Sequence, residues 1–219
     1  MIGISGRKAF PLLLGAALAG CGSSPPQVFH LLGRPADGAG LATGDRGYGV
    51  MVGPVTVPDA VDRPQLVVSG EGNRVDIREQ QRWAEPLDTG VAQALADDLA
   101  RALPQAYVYS QRGGPAGAPA PRFRVAVAVQ RFESRLRGAD AGSLVEADWV
   151  LSDTVADRKS ICRTRVRSPL AAGGGYDALV AAHQTSLAGL ARPVAEVLAQ
   201  LAAGRTDFTV PEGTACQRQ

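Results

Sequence analysis

Lysine and histidine are nearly missing from this chain: lysine stands only at Lys8 and Lys159, and histidine only at His30 and His183. With three cysteines in 219 residues, no His/Cys run has metal-ligand spacing, so no metal is expected. Basic excess is also absent. Of 23 basic and 21 acidic side chains, Arg7 and Lys8 supply the surplus, and the chain beyond them is formally neutral. Such a balance offers nothing to a phosphate backbone, and no nucleic-acid partner is expected. Aromatic residues make up 5 % of the chain, which speaks for close packing over a large ligand cavity. Nucleophile elbows and phosphate-binding loops are lacking. Gly173-Gly174-Gly175 has neither the Lys-Ser/Thr pair nor the spaced glycines of a nucleotide site and reads as a hinge. Glu79 and Glu85 flank Arg82 and Trp83 with no neighbouring histidine, so paired-carboxylate catalysis finds no support. The expectation is a protein without cofactor or enzymatic activity.

The N-terminus is richer. Arg7 and Lys8 precede an apolar run, Phe10 to Leu18, broken by Pro11 and Gly15 and far short of the roughly 20 residues that span a bilayer core. Leu18-Ala19-Gly20-Cys21 closes it and resembles the bacterial lipobox. Small residues there fit a signal peptidase, and Cys21 supplies a thiol for acylation. The implied division is a lipoprotein signal peptide over 1–20, an acylated tether over 21–27 and a domain over 28–219. Several acyl chains would make the anchor stable. An ordinary secretory signal with a chance cysteine is the alternative. Gly22 stands where an aspartate tends to retain lipoproteins in the inner membrane, which points to an outer-membrane anchor facing the periplasm. In an oxidising compartment the two remaining cysteines, Cys162 and Cys216, invite a disulfide pinning the C-terminal tail; free thiols or an intermolecular bridge are the other options.

Periodicity sets the elements. Val28–Leu32, Tyr48–Val57, Gln65–Ser69, Val75–Arg78 and Tyr107–Ser110 read as strands between Gly- and Pro-rich turns. Gly33–Gly49 and Gln111–Pro121 read as loops. Leu87, Val91, Leu95, Leu99 and Leu103 recur every four residues between Pro86 and Pro104 and predict a helix. Phe123 to Gln130, Leu144 to Ser152 and Ser160 to Ser168 alternate as longer strands. Glu146 and Asp148 should lie across from Arg163, Arg165 and Arg167, a cross-strand pairing preferred to an anion site. A last helix over Tyr176–Ala203 carries Leu179, Leu187, Leu190, Val194, Val197 and Leu201 on one stripe, with His183 among them as a core histidine and Pro193 inside. The predicted fold class is α/β in the α+β two-layer sense: a mixed, largely antiparallel sheet with two main helices on one face.

Val52-Gly53-Pro54-Val55-Thr56-Val57-Pro58 followed by Asp62-Arg63-Pro64-Gln65, and then Arg82-Trp83-Ala84-Glu85-Pro86-Leu87 at a helix start, resemble the ABC-type transport auxiliary lipoprotein family. Arg131-Phe132-Glu133 and Ala147-Asp148-Trp149-Val150-Leu151 resemble that family's later strands. The resemblance implies a non-enzymatic, outer-membrane lipoprotein of an MCE-type lipid transport system. It would dock a periplasmic tunnel of an MCE-domain protein to the membrane, as a homo-oligomeric ring. Rival readings are a lipid-binding lipoprotein and an envelope-integrity or assembly lipoprotein unconnected with transport. Asp62, Arg63, Pro64, Gln65, Trp83 and Glu85 are the candidate partner or oligomer interface. The competing reading has Trp83 plugging the core edge and Asp62 or Glu85 capping backbone N–H groups.

Overall fold

The computed structural model describes residues 25–33, 47–112 and 120–218. The expected signal segment with Cys21, the linker 34–46 and the loop 113–119 lie outside the described residues. In chain order the elements are β1 (Val28–His30), β2 (Tyr48–Thr56), β3 (Gln65–Ser69), β4 (Val75–Trp83), α1 (Leu87–Ala102), β5 (Ala106–Ser110), β6 (Pro121–Arg135), β7 (Gly142–Asp153), β8 (Arg158–Pro169), α2 (Tyr176–Ala202) and β9 (Thr214–Arg218). The fold is α+β.

The strands divide between a six-stranded sheet, ordered β5-β2-β6-β7-β8-β9, and a three-stranded one, ordered β1-β4-β3. In the larger sheet β2 runs parallel to both β5 and β6, and β6 through β9 are antiparallel. The single sheet expected from the sequence is thus two. Pro58 and Pro64 bracket the segment between β2 and β3. Proline cannot donate to a ladder, so the chain leaves the first sheet there and opens a second. β9 was not expected, because its Thr-Ala-Cys-Gln-Arg has no apolar alternation to announce it.

Alternation builds the core. Phe123, Val125, Val127 and Val129 of β6 and Val145, Ala147, Trp149 and Leu151 of β7 are all buried on the face under the helices. α1 lies over β2 and β5, α2 lies over β6, β7 and β8, and the helices touch each other. The predicted stripe of α2 is buried throughout, and the helix continues through Pro193. Its approach is close at Gly189, where a Cβ would sit 2.7 Å from Val166 Cγ1 on β8.

The other face of the large sheet is open and bears paired charges. Asp148 faces Arg163 and Glu146 faces Arg165 across the β7–β8 ladder, as the alternation predicts. Arg163 donates to both Asp148 oxygens at 2.6 and 2.8 Å. Those bonds hold the Asp148 carboxyl below its ordinary value.

At the far edge Cys162 and Cys216 stand opposite each other and are disulfide-bonded, with Cα atoms 4.0 Å apart across 54 residues of sequence. A polar chain crosses the same strands: Trp149 Nε1 donates to Thr164 Oγ1 at 3.0 Å, and Thr164 Oγ1 lies 2.9 Å from Thr214 Oγ1. Closing so long a loop constrains the unfolded chain. Cys216→Ser should therefore cost about 2–4 kcal/mol, read as a lower denaturant midpoint under non-reducing conditions, and reductant should shift the parent chain in the same direction.

Candidate functional site

The two sequence segments singled out as an interface meet at one end of the small sheet. Trp83 N–H donates to Pro64 O at 2.7 Å, and Gln65 pairs with Arg82 in the β3–β4 ladder. The turn before β3 is closed by backbone bonds, Val61 N and Asp62 N donating to Pro58 O at 3.0 and 3.1 Å and Arg63 N to Val61 O at 2.8 Å. Asp62 and Pro64 are exposed; Arg63, Gln65 and Glu85 are half-buried. Gln65 Nε2 donates to Glu79 Oε2 at 3.1 Å. Pro86 occupies the N-cap of α1 without a side-chain cap, so neither Asp62 nor Glu85 caps that helix.

Trp83 departs from the rest of the set. It is 6 % exposed and cannot serve as a surface anchor. Its ring meets Phe132 of β6 edge-on at 6.2 Å and His183 of α2 edge-on at 6.3 Å. Phe132 and His183 stack face to face, 4.1 Å apart and 9° from parallel. The indole is turned inward at the end of β4, where it lies over the junction of both sheets with α2.

Behind this junction runs a buried polar row that the sequence did not announce. His183 Nε2 lies 2.8 Å from Ser134 Oγ, and its Nδ1 is buried without a partner. Ser143 Oγ lies 2.7 Å from Ser186 Oγ, which donates to Ser168 Oγ at 2.9 Å. These serines sit at strand positions where alternation calls for apolar residues, and Ser186 falls three residues after His183 on the apolar stripe. That substitution pattern was the available signal. With the ring fully enclosed, desolvation lowers the His183 pKa to about 3. A neutral, buried imidazole on a serine is a structural member.

Two surface hollows lie near charged side chains. One, of about 70 Å³, lies beside the first turn of α1, where Arg112 is already paired with Asp88 at 3.1 Å. A larger cleft, of about 780 Å³, lies between the β3–β4 and β6–β7 turns and mixes Arg74, Arg78, Arg135 and Arg137 with Glu71 and Asp140. Within it Asp140 is bound to Arg167 at 3.1 Å and Arg78 to Asp76 at 3.0 Å. Among the described residues no group of three or more His, Cys, Asp or Glu could hold a metal ion, and no helix is long and apolar enough to cross a membrane.

Two measurements separate the buried and exposed members. Trp83→Ala should destabilise by about 3–5 kcal/mol, the range for a buried indole, while Asp62→Ala stays within about 0.5 kcal/mol. Denaturant melts compare them directly. The neutral His183 contributes stability that is complete above pH 6.5 and is lost as pH falls from there towards 3, because the unfolded imidazole takes a proton that the fold refuses. His183→Phe with Ser134→Ala should flatten the loss of denaturant midpoint between about pH 7.5 and about pH 4.5; an unchanged slope would mean other groups carry it.

Comparison with known proteins agrees with this architecture. A solved structure titled as an uncharacterized protein aligns with a TM-score of 0.59 at 21% identity, covering 80% of this chain and 99% of that one. Protein XCC0632 from Xanthomonas campestris, of family DUF330, aligns with a TM-score of 0.53 at 15% identity, covering 81% of this chain and 86% of its own. Both likenesses bear on fold alone. No curated protein matches the sequence. The family model for the ABC-type transport auxiliary lipoprotein component matches residues 30–195.

Proposed function

The chain belongs to the ABC-type transport auxiliary lipoprotein component family, and from that premise we propose that it is the outer-membrane docking lipoprotein of an MCE-type lipid transport system. Cys21, once acylated, holds the domain on the periplasmic side of the outer membrane. The domain grips the far end of a tunnel built by an MCE-domain protein, as a homo-oligomeric ring, and catalyses nothing. ATP hydrolysis belongs to a separate subunit.

The observation that carries this reading is the succession Leu18-Ala19-Gly20-Cys21, a short tether, and then a domain that matches the auxiliary-component family from residue 30. The preorganised surface at Asp62, Arg63, Pro64, Gln65 and Glu85 supports a gripping role. Two prolines and a web of backbone bonds fix these turns before any partner arrives, so little ordering entropy is lost on contact. Trp83 contributes from behind, by holding Pro64 in place.

Cross-linking in cells tests it. A photo-reactive residue at Asp62 or Glu85 should capture the MCE-domain protein or a second copy of this chain. Asp62→Arg should lower capture by about tenfold, or ~1.4 kcal/mol, with an unchanged melting temperature. Cys21→Ser should release the chain from the membrane fraction. Capture unaffected by Asp62→Arg would remove these turns from the interface; wild-type fractionation of Cys21→Ser would remove the lipid anchor.

A further inference from the structure

Large apolar side chains left in water concentrate on the small sheet. Val28, Phe29 and Leu31, on and just after β1, are 42 %, 60 % and 55 % exposed, and Val75 and Ile77 of β4 are 56 % and 42 % exposed. The other exposed large apolar residue among those described, Val155, is isolated on the β7–β8 turn. Ladder register puts Phe29, Val75 and Ile77 on one side, while Val28, two residues before His30, shares the side of His30. Leu66, Val68, His30 and Trp83 are buried on the core side. Alternation then turns Phe29, which pairs with Arg82, and Ile77 and Val75, which pair with Val67 and Ser69, to the outer face. Three large apolar side chains left exposed on one face of so small a sheet mark a contact surface rather than scattered surface hydrophobes.

The chain's own layout says what meets that face. β1 is parallel to β4, with Val28 opposite Gln81 and His30 opposite Trp83. The segment entering β1 therefore arrives from the Val75 end of β4. Cys21 precedes Phe29 by eight residues. Even fully extended, that stretch reaches no more than about 29 Å. An acyl-anchored Cys21 thus keeps the outer face of the small sheet within reach of the bilayer and on the side from which the tether comes.

A second copy is the rival occupant, since β1 covers β4 only at Gln81–Trp83 and leaves the edge from Val75 to Gln80 open among the described residues. That edge carries Asp76 and Glu79, and the β3–β4 ladder is bulged after Gln65. Charge and bulging are devices that block strand addition.

We propose that the outer face of the three-stranded sheet rests on the membrane surface, with Phe29, Val75 and Ile77 inserted at the headgroup–acyl boundary. The assignment rests on acylation of Cys21. Tethering supplies a high local concentration of lipid, so a patch too small to bind membrane alone is held there once anchored. Arg82 and Arg74 border the patch, but so do Glu71, Asp76 and Glu79. The contact therefore runs on apolar insertion and is indifferent to anionic lipid.

The test uses the full acylated protein in phosphatidylcholine vesicles with brominated acyl chains, which quench nearby indoles. Native Trp83 and Trp149 are buried at 6 % and 0 % exposure, leaving a quiet background. Phe29→Trp and Ile77→Trp should each lose emission to the brominated lipid, equally with and without added phosphatidylglycerol, whereas Val155→Trp should not. Quenching of all three alike, or of none, overturns the assignment. So does shielding of Phe29→Trp from acrylamide without bromolipid quenching, which means a second copy or another protein covers the face. Vesicle flotation separates the two layers of the claim. A chain that floats without quenching refutes the face and leaves the anchor standing; a chain that fails to float refutes both.

Discussion

Everything in this domain converges on the stacking of Phe132 against His183, with Trp83 closing over the pair. Each ring belongs to a different layer: the large sheet, the long helix and the small sheet. With the indole buried, the Trp83 backbone N–H donates to Pro64 O at 2.7 Å, beside the turn at Asp62 and Arg63. The surface proposed to meet a partner is thus shaped from inside by a residue that never reaches that surface.

The two faces of the large sheet follow different physics. Under the helices, aliphatic packing and a few matched hydroxyls exclude water. On the open face, arginines and carboxylates answer each other strand to strand, which keeps a wide, flat surface soluble without net charge. Neutral composition is the sum of these local pairings, and a chain built this way has no long-range field to draw in nucleic acid or steer a charged partner.

Much of this was legible from residue order. Period-two alternation located β6, β7 and β8 and the side each residue takes, down to Asp148 against Arg163, because a half-buried strand writes its environment into every second position. Period-four leucines located α1. What escaped detection has a common cause, which is that its stabilising partners are distant in sequence. β9 exists as a strand through its pairing with β8, and the polar second half of β4 through β1 and β3. The division into two sheets depends on where prolines interrupt a ladder, and that is not a hydrophobic signal. Within the proposed interface, exposure of Asp62 and Pro64 matched their residue types, whereas the inward turn of Trp83 could be decided only by the ring it packs against.

The serine row beneath α2 bears on how this domain can move. Ser186 meets hydroxyls from two adjacent strands, His183 meets a third, and Gly189 lets the helix sit almost in contact with Val166. A slide of the helix by one residue, about 1.5 Å, would strand every one of these buried groups at once and drive a side chain into the strand below. Shear of α2 along its axis is barred. The long helix is thereby keyed to three strands at once, and its position along the sheet has one setting rather than a range.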